Sequence, residues 1–99
     1  MSFAVIVTFK INSADMPAFM PLMVKQAKTS LELEPACHVF EIWQHTDDEN
    51  TVKLYEVYDD ADAFKTHLES AHFKEFDQIV APMIAHKDVT LLNRKIELD

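Results

Sequence analysis

The sequence predicts an α+β fold of the order β-α-β-β-α-β, a four-stranded antiparallel sheet with helices on one face. Three observations carry it. Phe3, Val5, Val7, Phe9 and Ile11 recur at every second position, the period of a strand with one buried face. Two more such runs, over 37–45 and 51–58, flank the acidic stretch Asp47, Asp48, Glu49, Asn50, which reads as a hairpin loop. After the first run and again after the third, apolar residues recur at helical spacing instead. Strand, helix, hairpin, helix, strand is the ferredoxin-like arrangement.

Each element has its own local reasons. The first strand gives way to Asn12, Ser13 and Asp15, which supply turn and cap chemistry. Pro17 suits a first helical turn behind Asp15, and Pro21, one turn on, should bend or loosen the start. Phe19, Leu22, Met23, Gln26, Ala27 and Ser30 then follow one helical face, and Pro35 ends the helix. In the second strand His38, Phe40, Ile42 and Gln44 oppose Val39, Glu41, Trp43 and His45; in the third, Val52, Leu54, Glu56 and Tyr58 oppose Lys53, Tyr55 and Val57. Asp59 or Asp60 caps a short helix with Phe64, His67 and Leu68. Ser70 interrupts it and caps a second piece carrying Phe73, Phe76, Ile79, Val80 and Met83. The last strand is expected over 88–98. The middle strands carry large apolar residues on both faces, and one helical layer covers only one of them. A homodimer burying the other face is therefore expected.

Composition narrows the function. The 99 residues make a single domain, 1–99, with 48% hydrophobic and 26% charged residues. The absence of glycine excludes a phosphate-cradling glycine loop. The lone Cys37 excludes an internal disulfide and a cysteine-rich zinc site. A net charge of −8 argues against nucleic acid and anionic membrane surfaces as partners. No apolar stretch reaches the roughly 18 residues of a membrane helix. No basic region precedes the first apolar run, so no secretory signal is expected and a cytoplasmic location is.

Four residues are candidates for chemistry. Glu56 interrupts an apolar stripe, where desolvation would raise its pKa toward that of a general base working near neutrality. Tyr58 shares its face. His67 and His72 would point apart on one continuous helix, about 140° around its axis, but a break at Ser70 lets both face the sheet. Plain structural roles stand beside these: Glu56 paired across the sheet rim, His67 a hydrogen-bonded core histidine, His72 a helix-start residue. Phe40, Trp43, Phe64 and Phe73 could line an aromatic pocket or simply fill the core. No His or acidic pair has diagnostic ligand spacing, so no metal is expected. Cys37 reads as a small buried residue rather than a nucleophile.

The run Leu54-Tyr55-Glu56-Val57-Tyr58, then Ala63-Phe64, His67 and His72-Phe73, resembles the antibiotic biosynthesis monooxygenase (ABM) domain family. Glu34-Pro35-Ala36-Cys37 resembles that family's Glu-Pro-Gly-Cys turn, with Ala36 in place of its glycine. The likeness runs from about Val5 to Arg94. It implies a dimeric α+β barrel with a pocket between helices and sheet in each subunit. It implies, too, a cofactor-free monooxygenase acting on an aromatic or quinol-like molecule, with dioxygen as co-substrate. His67 or His72 would be the base, Tyr58 would orient the substrate oxygen, and Glu56 would hold the imidazole tautomer or act as alternate base. Phe40, Trp43, Phe64 and Phe73 would line the pocket.

The same family includes an isomerase-type enzyme on a phosphorylated signal, for which Lys53, Lys65, Lys74 and Arg94 are candidate phosphate partners. It also includes haem-degrading enzymes. Their signature residues are missing here, where Val5 and Val7, His67 and Asp77 stand at the corresponding positions. An isomerase on a small carbonyl compound, or a non-catalytic binding dimer, is the alternative.

Overall fold

The computed structural model describes residues 2–98. Strand β1 (Phe3–Ile11) leads through a short 3-10 turn at Ser13–Asp15 into helix α1 (Met16–Leu33). Strands β2 (Cys37–Gln44) and β3 (Thr51–Tyr58) form the hairpin, followed by helices α2 (Ala61–Glu69) and α3 (Ala71–Val80) and strand β4 (Ile84–Leu92). All strand pairs are antiparallel, in the spatial order β2-β3-β1-β4. This is the ferredoxin-like α+β fold.

The alternation of β1 does what its period dictates. Phe3, Val5, Val7, Phe9 and Ile11 are all buried under the helices. Their β3 partners across the ladder include Glu56 opposite Val5 and Tyr58 opposite Phe3. From α1, Phe19, Met23, Gln26, Ala27 and Ser30 face this core, so two polar side chains lie on its buried stripe. Pro21 sits inside α1 on its exposed side. Asp15 occupies the cap position of α1 without a side-chain cap bond.

The Glu34–Cys37 turn explains how alanine replaces glycine. The Cys37 N–H donates to the Glu34 carbonyl at 2.9 Å, closing a four-residue turn with Pro35 and Ala36 at its centre. No described residue has a positive φ, so the turn is of the type I kind, which any L-residue tolerates at its third position.

Ser70 is the hinge between the two later helices. Its hydroxyl donates to the His67 carbonyl at 2.7 Å and accepts the Phe73 N–H at 3.3 Å. One side chain thus ends α2 and caps α3. Asp60 caps α2 in the same way, accepting the Ala63 N–H at 2.8 Å.

Two expectations need correction. The last strand begins at Ile84 and ends at Leu92, four residues earlier at its start and six at its end than the 88–98 expected. It pairs only with β1 and carries no helix above it, so its sequence shows little alternation between buried and exposed positions. In β2 the register slips between Cys37 and Val39. Cys37 and Phe40 are consequently both buried on the helix side, and His38, expected to share a face with Phe40, is exposed. The reverse face of the sheet presents Trp43, Tyr55 and Leu92, all exposed, and the half-buried Ile6, Val39 and Val57. No described helix is long and apolar enough to cross a membrane.

Candidate active site

A cavity of about 340 Å³ lies between the sheet and the helices. Phe40, Leu54, Phe64, Phe73 and Phe76 make much of its apolar wall. Val89 and Leu91 of β4 line it while about half exposed, so it opens at the uncovered sheet edge. Its polar groups are few: Gln26, Glu56, His67, Asp77 and Lys87. An apolar pocket with a few convergent polar groups is the usual form of a small-molecule site.

His67 is the centre of the arrangement. It is 3% exposed and packed among aromatic rings, with Phe73 at 5.0 Å, Tyr58 at 5.5 Å and Phe64 stacked at 6.0 Å between centroids. Its Nδ1 lies 2.8 Å from Glu34 Oε2. A carboxylate accepts, so Nδ1 carries the proton and Nε2 is left with its lone pair, without a partner among the described residues. Burial lowers the pKa of His67, against the opposing pull of the Glu34 charge. The ring is therefore favoured as a neutral base.

Glu56 forms the second polar point. It is 3% exposed, and the Tyr58 hydroxyl donates to its Oε1 at 2.6 Å. Desolvation raises its pKa to about 7, despite the lowering effect of the Tyr58 hydrogen bond. A carboxyl balanced between its two forms near neutrality suits either proton acceptance or donation. Tyr58 is fully buried, and its pKa is pushed far up by burial and by the neighbouring Glu56 charge.

The structure brings Glu56, His67, Phe40, Phe64 and Phe73 to one cavity. It moves several other expectations. Trp43 does not line the cavity; it is 62% exposed on the reverse face, its indole N–H donating to Glu41. The strand period sends it there, opposite Phe40 and Ile42. Tyr58 is not among the residues that line the cavity, and its hydroxyl is donated to Glu56. The group holding the His67 tautomer is Glu34, not Glu56.

His72 stands one step back from the cavity, its ring 5.9 Å from that of His67. It lines a separate shallow depression with Gln26 and Glu75. Gln26 Nε2 lies 3.1 Å from His72 Nδ1, and the Ser30 hydroxyl steadies the same turn by donating to the Gln26 carbonyl. Glu34, His67 and His72 offer donor atoms all within 4.8 Å of one another, a grouping that sequence spacing did not predict. Lys53, Lys65, Lys74 and Arg94 do not line the cavity; the cation that does is Lys87, over the Phe9 ring at 5.6 Å. Cys37 is buried, with its thiol pushed up to about 11 by desolvation and by the Glu34 and Glu56 charges. Such a thiol is a poor nucleophile.

Comparison with known proteins bears on the family and the fold. The sequence model described as Antibiotic biosynthesis monooxygenase matches residues 2–78. A Caulobacter crescentus protein provisionally named an antibiotic biosynthesis monooxygenase superposes with a TM-score of 0.91 at 24% identity, covering 96% of this chain and 91% of its own. A Nitrosomonas europaea protein with the same provisional name gives 0.89 at 24% identity, over 94% and 89%. A Mycobacterium tuberculosis protein gives 0.89 at 21% identity over the whole of both chains. At these identities the likeness is one of fold. No curated protein sequence matches the chain.

Proposed function

The chain belongs to the antibiotic biosynthesis monooxygenase family, and from that membership we propose that it oxygenates an aromatic or quinol-like small molecule without a resident cofactor. One observation carries this reading. A buried neutral imidazole, its Nδ1 proton held by Glu34, stands in the wall of an otherwise apolar cavity. That is a base set to take a proton from a phenol or an acidic C–H in a dry site.

The chemistry then belongs largely to the substrate. His67 Nε2 takes the proton, leaving an electron-rich carbanion or phenolate. That anion passes one electron to dioxygen, and the radical pair joins to form a C–O bond. The imidazolium returns its proton to the peroxide. Loss of the remaining C–H proton as the O–O bond breaks gives a carbonyl and water. One oxygen atom ends in product and the other in water, with all four electrons supplied by the substrate carbon. Protonated Glu56 donates a hydrogen bond to the developing oxyanion, and Tyr58 fixes its orientation. The phenylalanine walls exclude water, which strengthens both interactions.

Oxygen-electrode traces of metal-stripped protein with a panel of hydroquinones and anthrones test this. Uptake that disappears in His67→Ala is the expected result. Saturable binding of the panel without uptake would replace this reading with a non-catalytic binding protein, and conversion without oxygen would replace it with an isomerase.

The working unit in this proposal is a homodimer joined through the reverse face of the sheet. Exposed Trp43, Tyr55 and Leu92 there are too apolar a patch for a free surface. Light scattering should give twice the 11.4 kDa of one chain, falling to one chain in Tyr55→Asp/Val57→Asp. A wild-type chain that scatters as a monomer at micromolar concentration ends the dimer proposal. A cytoplasmic location fits both statements; recovery of the native chain from the periplasm or medium would count against it.

A further inference from the structure

One oxygen of Glu34 is faced by two ring nitrogens. His67 Nδ1 lies 2.8 Å from it in good hydrogen-bond geometry, and His72 Nε2 lies 2.9 Å away. The second contact is close but misaligned, so His72 Nε2 is sealed from solvent with no hydrogen-bond partner. Buried polar nitrogens are rarely left in that state. The three donors come from the turn after α1, from α2 and from the first turn of α3, and they lie within 4.8 Å of one another.

We propose that Glu34, His67 and His72 form a binding site for a divalent first-row cation of the zinc type. Two imidazoles and a carboxylate are a donor set that such ions accept, with a fourth position left for water. Bonds of about 2.0–2.2 Å place neighbouring donors of a tetrahedral ion roughly 3.3 Å apart. Both nitrogen–oxygen separations, 2.8 and 2.9 Å, are somewhat shorter than that value, and all three donor atoms lie within 4.8 Å of one another, so small side-chain adjustments seat the ion. The ion supplies the partner that His72 Nε2 lacks.

A second shell stands ready. Gln26 lies 3.1 Å from His72 Nδ1. Its amide, turned over, presents an oxygen to the Nδ1 proton that a metal-bound His72 carries. The amide's two ends are interchangeable in shape, so the turn costs no repacking.

The ion would oppose the reaction proposed above. With Nδ1 of His67 bound to metal, the ring's proton moves to Nε2, and the cavity then faces a donor instead of a base. The site is thus an inhibitory one, although its existence does not rest on the oxygenase reading.

Calorimetric titration of metal-stripped protein with Zn²⁺ tests the site directly, and Co²⁺ serves as a second probe through its visible absorption. One ion per chain is expected, with binding lost in Glu34→Gln and in His72→Ala. Gln26→Ala should weaken it by about 10–100-fold. The control is His38→Ala/His86→Ala, which removes the exposed His38–Asp59 and His86–Asp88 pairs and should bind like wild type. Circular dichroism melts confirm that each variant is folded, with His72→Gln substituted if the alanine variant is not. Absence of stoichiometric binding in wild type overturns the proposal. So does binding that survives Glu34→Gln and His72→Ala, or that vanishes in the surface double variant. Both readouts are taken without substrate, so a failed oxygenase assay leaves this result standing, and the reverse holds too.

Discussion

Replacing His67 by alanine is expected to lower kcat by roughly 10²- to 10⁴-fold, the usual worth of a positioned general base, while the fold survives. The ring is buried at 3% exposure, so thermal melts must accompany the kinetics. Glu34→Gln separates the base from its support. An amide at that position can donate to Nδ1 as readily as it accepts, and a donated bond there moves the ring proton to Nε2. The variant should therefore lose roughly 10²-fold or more in kcat, with KM nearly unchanged because Glu34 does not line the cavity. In wild type the rate should rise with pH through a pKa below the ordinary value of 6.5, since burial lowers that of His67. Unchanged turnover in His67→Ala would remove the residue from the mechanism.

Glu56 gives an equally large effect on stability. Its pKa is about 7 in the folded chain against an ordinary value of 4.5. A group with a raised folded pKa contributes stability that is complete below its unfolded pKa and is lost as pH rises through the folded one. Between pH 4.5 and pH 8 the loss from this one carboxyl is about 3 kcal/mol. Glu56→Gln keeps an oxygen for the Tyr58 hydroxyl and carries no charge. Urea unfolding of both proteins at pH 5 and pH 8 should show the variant gaining on wild type by most of that amount, about 2–3 kcal/mol, at the higher pH. An identical pH difference in the two proteins would mean that Glu56 is not desolvated as described.

Much of this was legible in the sequence because strand and helix periods are local. The alternation of Phe3 to Ile11, the break at Ser70 and the apolar surroundings of Glu56 each follow from neighbours within a few positions. Glu34 was not legible as a site residue. It stands 33 positions from His67, and only the turn at Pro35 and the hairpin beyond it bring the two together. Gln26 was read as one member of a helical face, and no spacing rule says which polar member of a face will meet a histidine from another helix. Trp43 misled for a different reason. An aromatic ring near a predicted pocket invites assignment to it, yet its own strand period had already placed it on the reverse face from Phe40. The early start of β4 escaped because an edge strand without a helix above it need not alternate.

The turn at Glu34–Cys37 has a wider consequence. A chain with no glycine and no described residue at positive φ reaches its native state entirely through backbone conformations common to every L-amino acid. Glycine-rich chains give up more disorder when they fold, by about 0.4–1 kcal/mol for each glycine that an alanine could replace. This chain has already forgone that freedom in its denatured ensemble. Its bends are also open to drift: substitution at a turn is judged here by the side chain it brings and not by handedness, so the Glu34 corner can be rewritten around its carboxylate without any residue being held in place by its backbone alone.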